Sequence, residues 1–334
     1  MSMRKIFGIT IAVAIVVSII VAAPVAAGED IRIGMIGLDT SHVIAFTKLL
    51  NDEKQKNHVK GGKVVAAFKG GSDDVESSYT RVDKYTEQLN KEYGVEIVDS
   101  IEELCTKVDA IMLESVDGRP HLEQVKPVFE AGLPVFIDKP LAGSLHDALE
   151  IARLGKEHGV PWFSASSYRY YKSLTDLMAK DMGDILGAIS YGPCHLEEHH
   201  PDLYWYGVHP TEALFTVMGI GCESVVRTST PQFDIVTGTW AGGRTGTLYG
   251  LRTPKTPHKV TVFGSKGVFE QEGGGDYADL VIEVMKFFKS GKPPIAPEET
   301  VQMFAFMEAA DESKRRGGRP VTISEVIALA TVAK

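Results

Sequence analysis

Cysteine is scarce in this sequence: Cys105, Cys194 and Cys222 are three residues spread widely over 334 positions. That number and spacing exclude a disulfide framework even in an oxidising compartment, leaving at most one bridge whose members the sequence does not choose. Basic residues are also outnumbered, 35 against 44 acids for a formal charge of −9, which argues against nucleic acid or an anionic membrane surface as a partner. The longest basic run, Lys314-Arg315-Arg316, closes a predicted helix, where cations complement the helix dipole. There is no internal repeat and no low-complexity segment. Beyond Asp30 no apolar run is long enough to read as a membrane span. With 44% hydrophobic and 24% charged residues, the chain has globular composition and enough length for two packed cores.

The one long apolar run lies at the start. A basic pair, Arg4 and Lys5, precedes Ile6 to Ala23, and Val25-Ala26-Ala27 follows with the small residues that suit signal peptidase. This is the layout of a secretory leader over residues 1–27, predicting an exported protein of the periplasm or cell envelope. An uncleaved anchor is the alternative, because about 17 apolar residues reach the lower limit for spanning a bilayer. Without Arg4 and Lys5 the balance becomes 33 basic against 44 acidic residues, or −11. No twin-arginine pair is present, so the leader implies passage of an unfolded chain that carries no bound cofactor with it.

After the leader the pattern alternates. "IRIGMIGL" (Ile31 to Leu38) reads as a buried strand ending in glycine, and "SHVIAFTKLL" (Ser41 to Leu50) as a helix with Val43, Phe46, Leu49 and Leu50 on one face. Further strands are expected at Lys63 to Phe68, Asp109 to Val116, Pro134 to Asp138 and in "PWFSAS", with helices between them. Alternation of this kind gives a parallel sheet with right-handed crossovers. From about residue 167 short β-rich segments such as "AISYGPCHLE", "TGTWAG" and "HKVTVFGS" take over, predicting a mostly antiparallel sheet. Helices flank it at Lys172 to Asp181, Pro210 to Met218, Tyr277 to Ser290 and Glu298 to Arg315. The fold class is therefore α/β: a doubly wound parallel sheet over 29–166 and an α/β domain with a large, mostly antiparallel sheet over 167–334, whose last helices are expected to pack back on the first domain.

Lys139 ends a predicted parallel strand, where open α/β sheets place their ligand crevice, and Pro140 fixes the backbone beside it. Five stretches in order then resemble the Gfo/Idh/MocA family, named for glucose-fructose oxidoreductase and inositol dehydrogenase. "PVFIDKPLAGS" is similar to its Glu-Lys-Pro segment, with Asp138 in the glutamate's place; His121 with "LEQVKPVFEAG" to the preceding helix; "SSYRYY" to its Asn-x-Arg-Phe turn; "MGDILGAIS" to the entry of its second domain; and "GVHPTE" to its catalytic histidine helix. The resemblance implies a Rossmann domain, a nicotinamide dinucleotide, NAD or NADP, and hydride transfer with a sugar or polyol. It implies catalytic roles for Lys139, which positions the reacting oxygen, and for His209, the proton carrier. Cofactor contacts are expected from Gly37, Asp39, Thr40, Ser41, His42, Lys69, Ser72, Glu114, His121, Asp138 and Lys139. The sugar site would be lined by Tyr168, Arg169, Tyr204, Trp205, Tyr206 and His209. A homo-oligomer through the open face of the second sheet is also implied.

The sequence departs from this pattern in three places. The nucleotide fingerprint needs three glycines, but "GLDTSH" supplies only Gly37, with Asp39 and His42 in the second and third places. A carboxylate there would oppose a diphosphate that the helix N-terminus attracts, unless one of Asp39, Thr40 or Ser41 merely caps that helix. At the end of the second strand Lys69 and Ser72 replace the usual carboxylate and would suit a 2′-phosphate. Trp205 stands where the family carries an aspartate before its histidine, leaving Asp202 and Glu212 as substitutes. In addition, "CHLEEHH" continued as a strand would put His195, Glu197 and His199 on one face as a first-row metal set, zinc for example. Two other functions follow from these departures: a metal-assisted lyase or hydrolase on carbohydrates that does not use NAD, and a non-catalytic carbohydrate-binding protein.

Overall fold

A computed structural model describes residues 30–253 and 255–332; the predicted leader lies outside the described residues. The first domain runs β1 (Ile31–Ile36), α1 (Ser41–Asn51), β2 (Gly62–Phe68), α2 (Glu76–Tyr79), α3 (Val82–Tyr93), β3 (Glu96–Val98), α4 (Ile101–Lys107), β4 (Ala110–Leu113), α5 (His121–Glu130), β5 (Val135–Asp138), α6 (Leu145–His158) and β6 (Trp162–Ala165). All six strands are parallel, in the order β3-β2-β1-β4-β5-β6. Strand order reverses between β1 and β4, which opens a crevice at their carboxyl ends. Both faces of the sheet are covered, which is why β4 and, up to its last residue Asp138, β5 are apolar without alternation, and both are fully buried. Local chemistry sets the helix ends: Ser100 and Ser144 accept from the amides of Glu103 and Asp147 at 3.0 Å, and Gly94 and Gly159 close α3 and α6 in the left-handed region.

A short 3-10 turn (Ser167–Tyr170) leads into α7 (Lys172–Met178), β7 (Ile185–Pro193), α8 (Asp202–Trp205), α9 (Val208–Met218), β8 (Cys222–Ser229), β9 (Phe233–Trp240), β10 (Thr245–Leu251), β11 (Lys259–Gly264), β12 (Gly267–Glu270), α10 (Tyr277–Ser290), α11 (Pro297–Arg315), β13 (Val321–Thr322) and α12 (Ile323–Val332). The second sheet runs β12-β11-β7-β10-β9-β8-β13. Its pairs are antiparallel except β7 with β10. Residues alternate between buried and half-exposed along β9 and β10, leaving an open face with Ile235 and Tyr249. The chain then returns to the first domain. Leu280, Val281, Val284 and Phe287 of α10 share a core with Phe46, Phe136 and Phe163, while α11 buries Phe304 and Phe306 in the core that joins both sheets.

Two segments differ from the sequence expectation. β4 stops at Leu113, so Glu114 to Val116 leave the sheet instead of extending it. β7 stops at Pro193; after Cys194 donates its amide to Leu251 at 2.7 Å, the chain departs for α8.

Candidate active site

A polar cavity of about 420 Å³ lies at the carboxyl ends of the parallel strands, where the two domains meet. Thr40, Ser41 and His42 at the start of α1, with Ser77 and Arg81, line one side. Lys139, Tyr168, Trp205, Tyr206, His209, His258 and Tyr277 also line the cavity. Larger concavities occur elsewhere, 580 Å³ beside Arg252 and Lys314 and 880 Å³ between α6 and α11, but neither contains Lys139 or His209. The chemistry-bearing residues select the smaller one.

Lys139 follows the last residue of β5, and the Lys139–Pro140 bond is cis. Its side chain is 12% exposed, with Nζ 4.0 Å from Asp138 Oδ2. His209 sits in the first turn of α9. Its Nδ1 lies 2.6 Å from Ser166 Oγ, which commits that nitrogen and leaves Nε2 for a ligand. Burial, and then the positive charge of Lys139, hold the His209 imidazole well below its ordinary pKa, so it is a neutral proton acceptor at pH 7. His258 packs 5.5 Å from the His209 ring, and burial pushes it down to about 4. Gly192 makes this possible, because a Cβ there would meet His258 Nδ1 at 2.4 Å.

The glycine-poor loop is built differently from its sequence reading. Gly37 has φ +84°, and a Cβ on it would lie 2.5 Å from Ser115 Cα, so glycine is required there. Asp39 is fully buried: Ser78 donates its hydroxyl to Oδ2 at 2.6 Å and the Val116 amide donates to Oδ1 at 2.9 Å. Burial raises its pKa, opposed by those two donors. The carboxylate is absent from the cavity lining and is met by two donors, so it does not face a diphosphate directly. Thr40 is the cap, accepting from the His42 amide at 3.4 Å. His42 is buried between Phe46 and Tyr277, and its Nδ1 lies 2.7 Å from Asp138 Oδ2. Glu114 is fully buried behind them with neither carboxylate oxygen hydrogen-bonded. Burial, then the neighbouring Asp138, drive the Glu114 carboxyl far up. Burial also opposes ionisation of Asp138, but His42 and Lys139 hold its carboxyl below the usual range.

Several expected site residues are employed elsewhere. Arg169 pairs with Glu212 and, at 2.5 Å, with Glu299, an ion cluster outside the cavity lining, so its guanidinium is engaged away from the expected sugar site. Glu212 is thereby occupied, and Asp202 pairs with Arg227 and Lys314; neither replaces the missing aspartate. Tyr204 belongs to the core against Phe304. Tyr168 lines the cavity, but its hydroxyl donates to Gln271 at 2.7 Å. His121 is also structural, its ring nitrogens meeting the carbonyls of Leu141 and Ser115 at 3.1 and 2.9 Å and tying the β4 exit to the lysine loop. Ser72 donates to Asp117 at 2.6 Å, whereas Lys69 makes only an exposed ion pair with Asp83 at 2.6 Å, which a 2′-phosphate could replace.

The metal reading of His195, Glu197 and His199 fails because its premise, a continued strand, does not hold. His195 is exposed and meets Tyr206 edge-to-face, whereas His199 Nδ1 meets Glu197 at 2.8 Å. What bends the chain away is His200, whose Nε2 lies 3.0 Å from Asp117 Oδ1 across the domain boundary. Burial works against ionised Asp117, but donors from His200, Arg119 and Ser72 hold its carboxyl far below the usual range. Among the described residues, the group spaced to hold a metal is His42, Glu114 and Asp138. Sequence reasoning named all three but did not group them. It missed Ser166 as the partner of His209, and Arg81, His258 and Tyr277 as cavity residues. Of these only Ser166 carried a signal, its place in the "SSYRYY" turn.

Residues 31–166 match the family model described as oxidoreductase family, NAD-binding Rossmann fold (GFO_IDH_MocA). No curated protein matches the sequence. Among solved structures, apo scyllo-inositol dehydrogenase from Lactobacillus casei is 15% identical, with a TM-score of 0.72 over 89% of this chain and 99% of its own. An oxidoreductase from Agrobacterium radiobacter, solved with NAD+, L-tartaric acid and magnesium, is 15% identical, with a TM-score of 0.70 over 89% of this chain and 99% of its own. These likenesses show a shared fold over both domains.

Proposed function

We propose that this chain, whose residues 31–166 match the NAD-binding Rossmann model of the Gfo/Idh/MocA oxidoreductases, is an enzyme that oxidises or reduces a secondary hydroxyl of a sugar or polyol. The observation that carries this reading is that Lys139, a neutral His209 and the N-terminus of α1 share one polar cavity. The cavity fits a dinucleotide where the sequence alone raised an objection. Asp39 is turned into the protein, and Thr40, Ser41 and Arg81 offer amide, hydroxyl and guanidinium donors to an anion. Gly37, Thr40, Ser41 and Arg81 would hold the diphosphate, and Lys139 would border the nicotinamide, which supplies a hydride acceptor or donor when bound.

The chain's own residues do the rest. Lys139 donates a hydrogen bond to the reacting oxygen and stabilises negative charge on it. His209, held by Ser166, takes the hydroxyl proton at Nε2 in the oxidative direction and returns it in the reverse. Trp205 and Tyr206 supply aromatic faces for a ring substrate. Support for a homo-oligomer comes from the half-exposed apolar residues Ile189, Ile235 and Tyr249 on the open face of the second sheet. Support for action outside the cytoplasm comes from the leader pattern of residues 1–27.

Calorimetric titration of the purified chain with NAD and NADP tests the reading. Micromolar binding of either, with turnover of polyols lost in Lys139→Ala and His209→Ala, is the expected result. No binding at millimolar dinucleotide overturns it.

A further inference from the structure

We propose that His42, Glu114 and Asp138 form a binding site for one first-row divalent cation of the zinc or manganese class, set behind the cavity beside Lys139. One ligand atom from each residue lies within 4.8 Å of the others. Exposure is 6%, 0% and 0%, so the cluster is withdrawn from water. Both oxygens of Glu114 and Oδ1 of Asp138 have no hydrogen-bond partner. Such orphaned oxygens are uncommon in a folded interior because each forfeits the water it had in the unfolded chain.

The contrast within this molecule is specific. Asp39, Asp117 and Asp234 are buried as well, and every one of them is met by hydroxyl, amide, imidazole or guanidinium donors. Glu114 has no ion pair among the described residues, and Lys139 reaches only Asp138, at 4.0 Å. A cation bonded to Glu114 and Asp138 would satisfy the orphaned oxygens together. An imidazole and two carboxylates form a donor set for zinc or manganese, with bonds of about 2.1 Å that place opposite ligands about 4.2 Å apart. The three residues lie within reach of one cation, which would replace the 2.7 Å hydrogen bond between His42 Nδ1 and Asp138 Oδ2.

Its position suggests a use for the ion. His42 lines the cavity that holds Lys139 and His209. Of the three ligands only His42 lines that cavity, so a cation held by all three would have its remaining coordination position open to a substrate oxygen from that side alone, the layout of a Lewis-acid site. His42 also stands where the nucleotide fingerprint has its third glycine, so a chain with the full fingerprint would lack this ligand. Dinucleotide binding does not require the ion, and the proposal stands or falls apart from the hydride-transfer reading.

Metal content decides it. The full chain is treated with chelator, incubated separately with zinc and manganese(II), desalted and measured by plasma mass spectrometry, alongside Glu114→Gln, Asp138→Asn and His199→Ala. A single retained equivalent in the wild type and in His199→Ala, lost from whichever of Glu114→Gln and Asp138→Asn is folded by circular dichroism, is the expected result. Failure of the wild type to retain either metal would overturn the proposal and leave a proton as the occupant of Glu114. Equal retention by a folded Glu114→Gln or Asp138→Asn, or loss in His199→Ala, would overturn it as well. Dinucleotide titration of the same chelated sample reports on the oxidoreductase reading independently.

Discussion

Replacing Arg169 with methionine removes a guanidinium that is 12% exposed and pairs with both Glu212 and Glu299. Glu212 is 2% exposed, and burial already raises its pKa against the pull of Arg169. Without Arg169 the remaining hydrogen bond to its carboxylate is the Ser166 amide at 3.5 Å. Breaking a buried ion pair from one side costs about 3–5 kcal/mol, because a buried charge is left uncompensated. For a chain of this size that is a fall in melting temperature on the order of 10 °C. The sign with pH follows from the raised pKa. In the variant the folded state binds the Glu212 proton more tightly than the unfolded state, so the penalty is least below the unfolded value of about 4.3 and grows as pH rises through the folded value. Urea unfolding of wild type and variant should therefore show a gap that narrows from neutral pH toward about pH 5, and adding Glu212→Gln should recover most of the loss. A loss below about 1 kcal/mol, with a raised KM for the polyol, would refute this account and restore Arg169 to the substrate site.

Asp39→Ala should lower stability by about 1–3 kcal/mol, since it strands the Ser78 hydroxyl and the Val116 amide. It should bring no gain in dinucleotide affinity, and a clear gain by calorimetry would show that the carboxylate faces the ligand. Lys139→Met should raise the His209 pKa, because the lysine charge is the second cause of its depression after burial. Histidine-ring NMR titration reads that directly, and an unmoved His209 would place the two residues too far apart to cooperate. His258, depressed to about 4 by burial, contributes stability that is fully present above its unfolded value near about 6.5 and lost as pH falls toward 4. The wild type should therefore lose more stability than His258→Asn between pH 7 and 4.5, and equal losses would contradict the burial argument.

The first domain was legible because its strands are buried on both faces and its helices carry regular apolar spacing. The exception is β3, whose three residues, Glu96–Val98, give periodicity nothing to act on. Lys139 and His209 were found through motif order, and the structure places both on one cavity. Arg169 lies outside the cavity lining, against expectation, because a turn motif says nothing about which acids fold over it; Glu212 and Glu299 are 43 and 130 residues away. The histidine-rich segment failed for a similar reason. Alternation assumes a ladder partner, and after Cys194 the chain exchanges the sheet for a contact between His200 and Asp117.

The two anomalies of the glycine-poor loop, read separately, counted against a nucleotide site. In the fold each has its own compensation. Asp39 enters the interior only because Ser78 and the Val116 amide receive it, and Val116 is placed to do so because β4 ends early, at Leu113. His42, bulky where a fingerprint wants glycine, is accommodated because Asp138 meets its Nδ1 and Phe46 and Tyr277 enclose its ring. Aspartate suits that contact through its reach, since the glutamate usual beside the lysine is longer by one methylene. The substitutions at positions 39, 42 and 138 therefore act together: they free the front of the loop from negative charge and build an imidazole-carboxylate pair behind it. On this argument Asp138→Glu alone should perturb His42 more than Lys139, and restoring glycine at 42 alone should leave Asp138 buried without its imidazole and destabilise the chain.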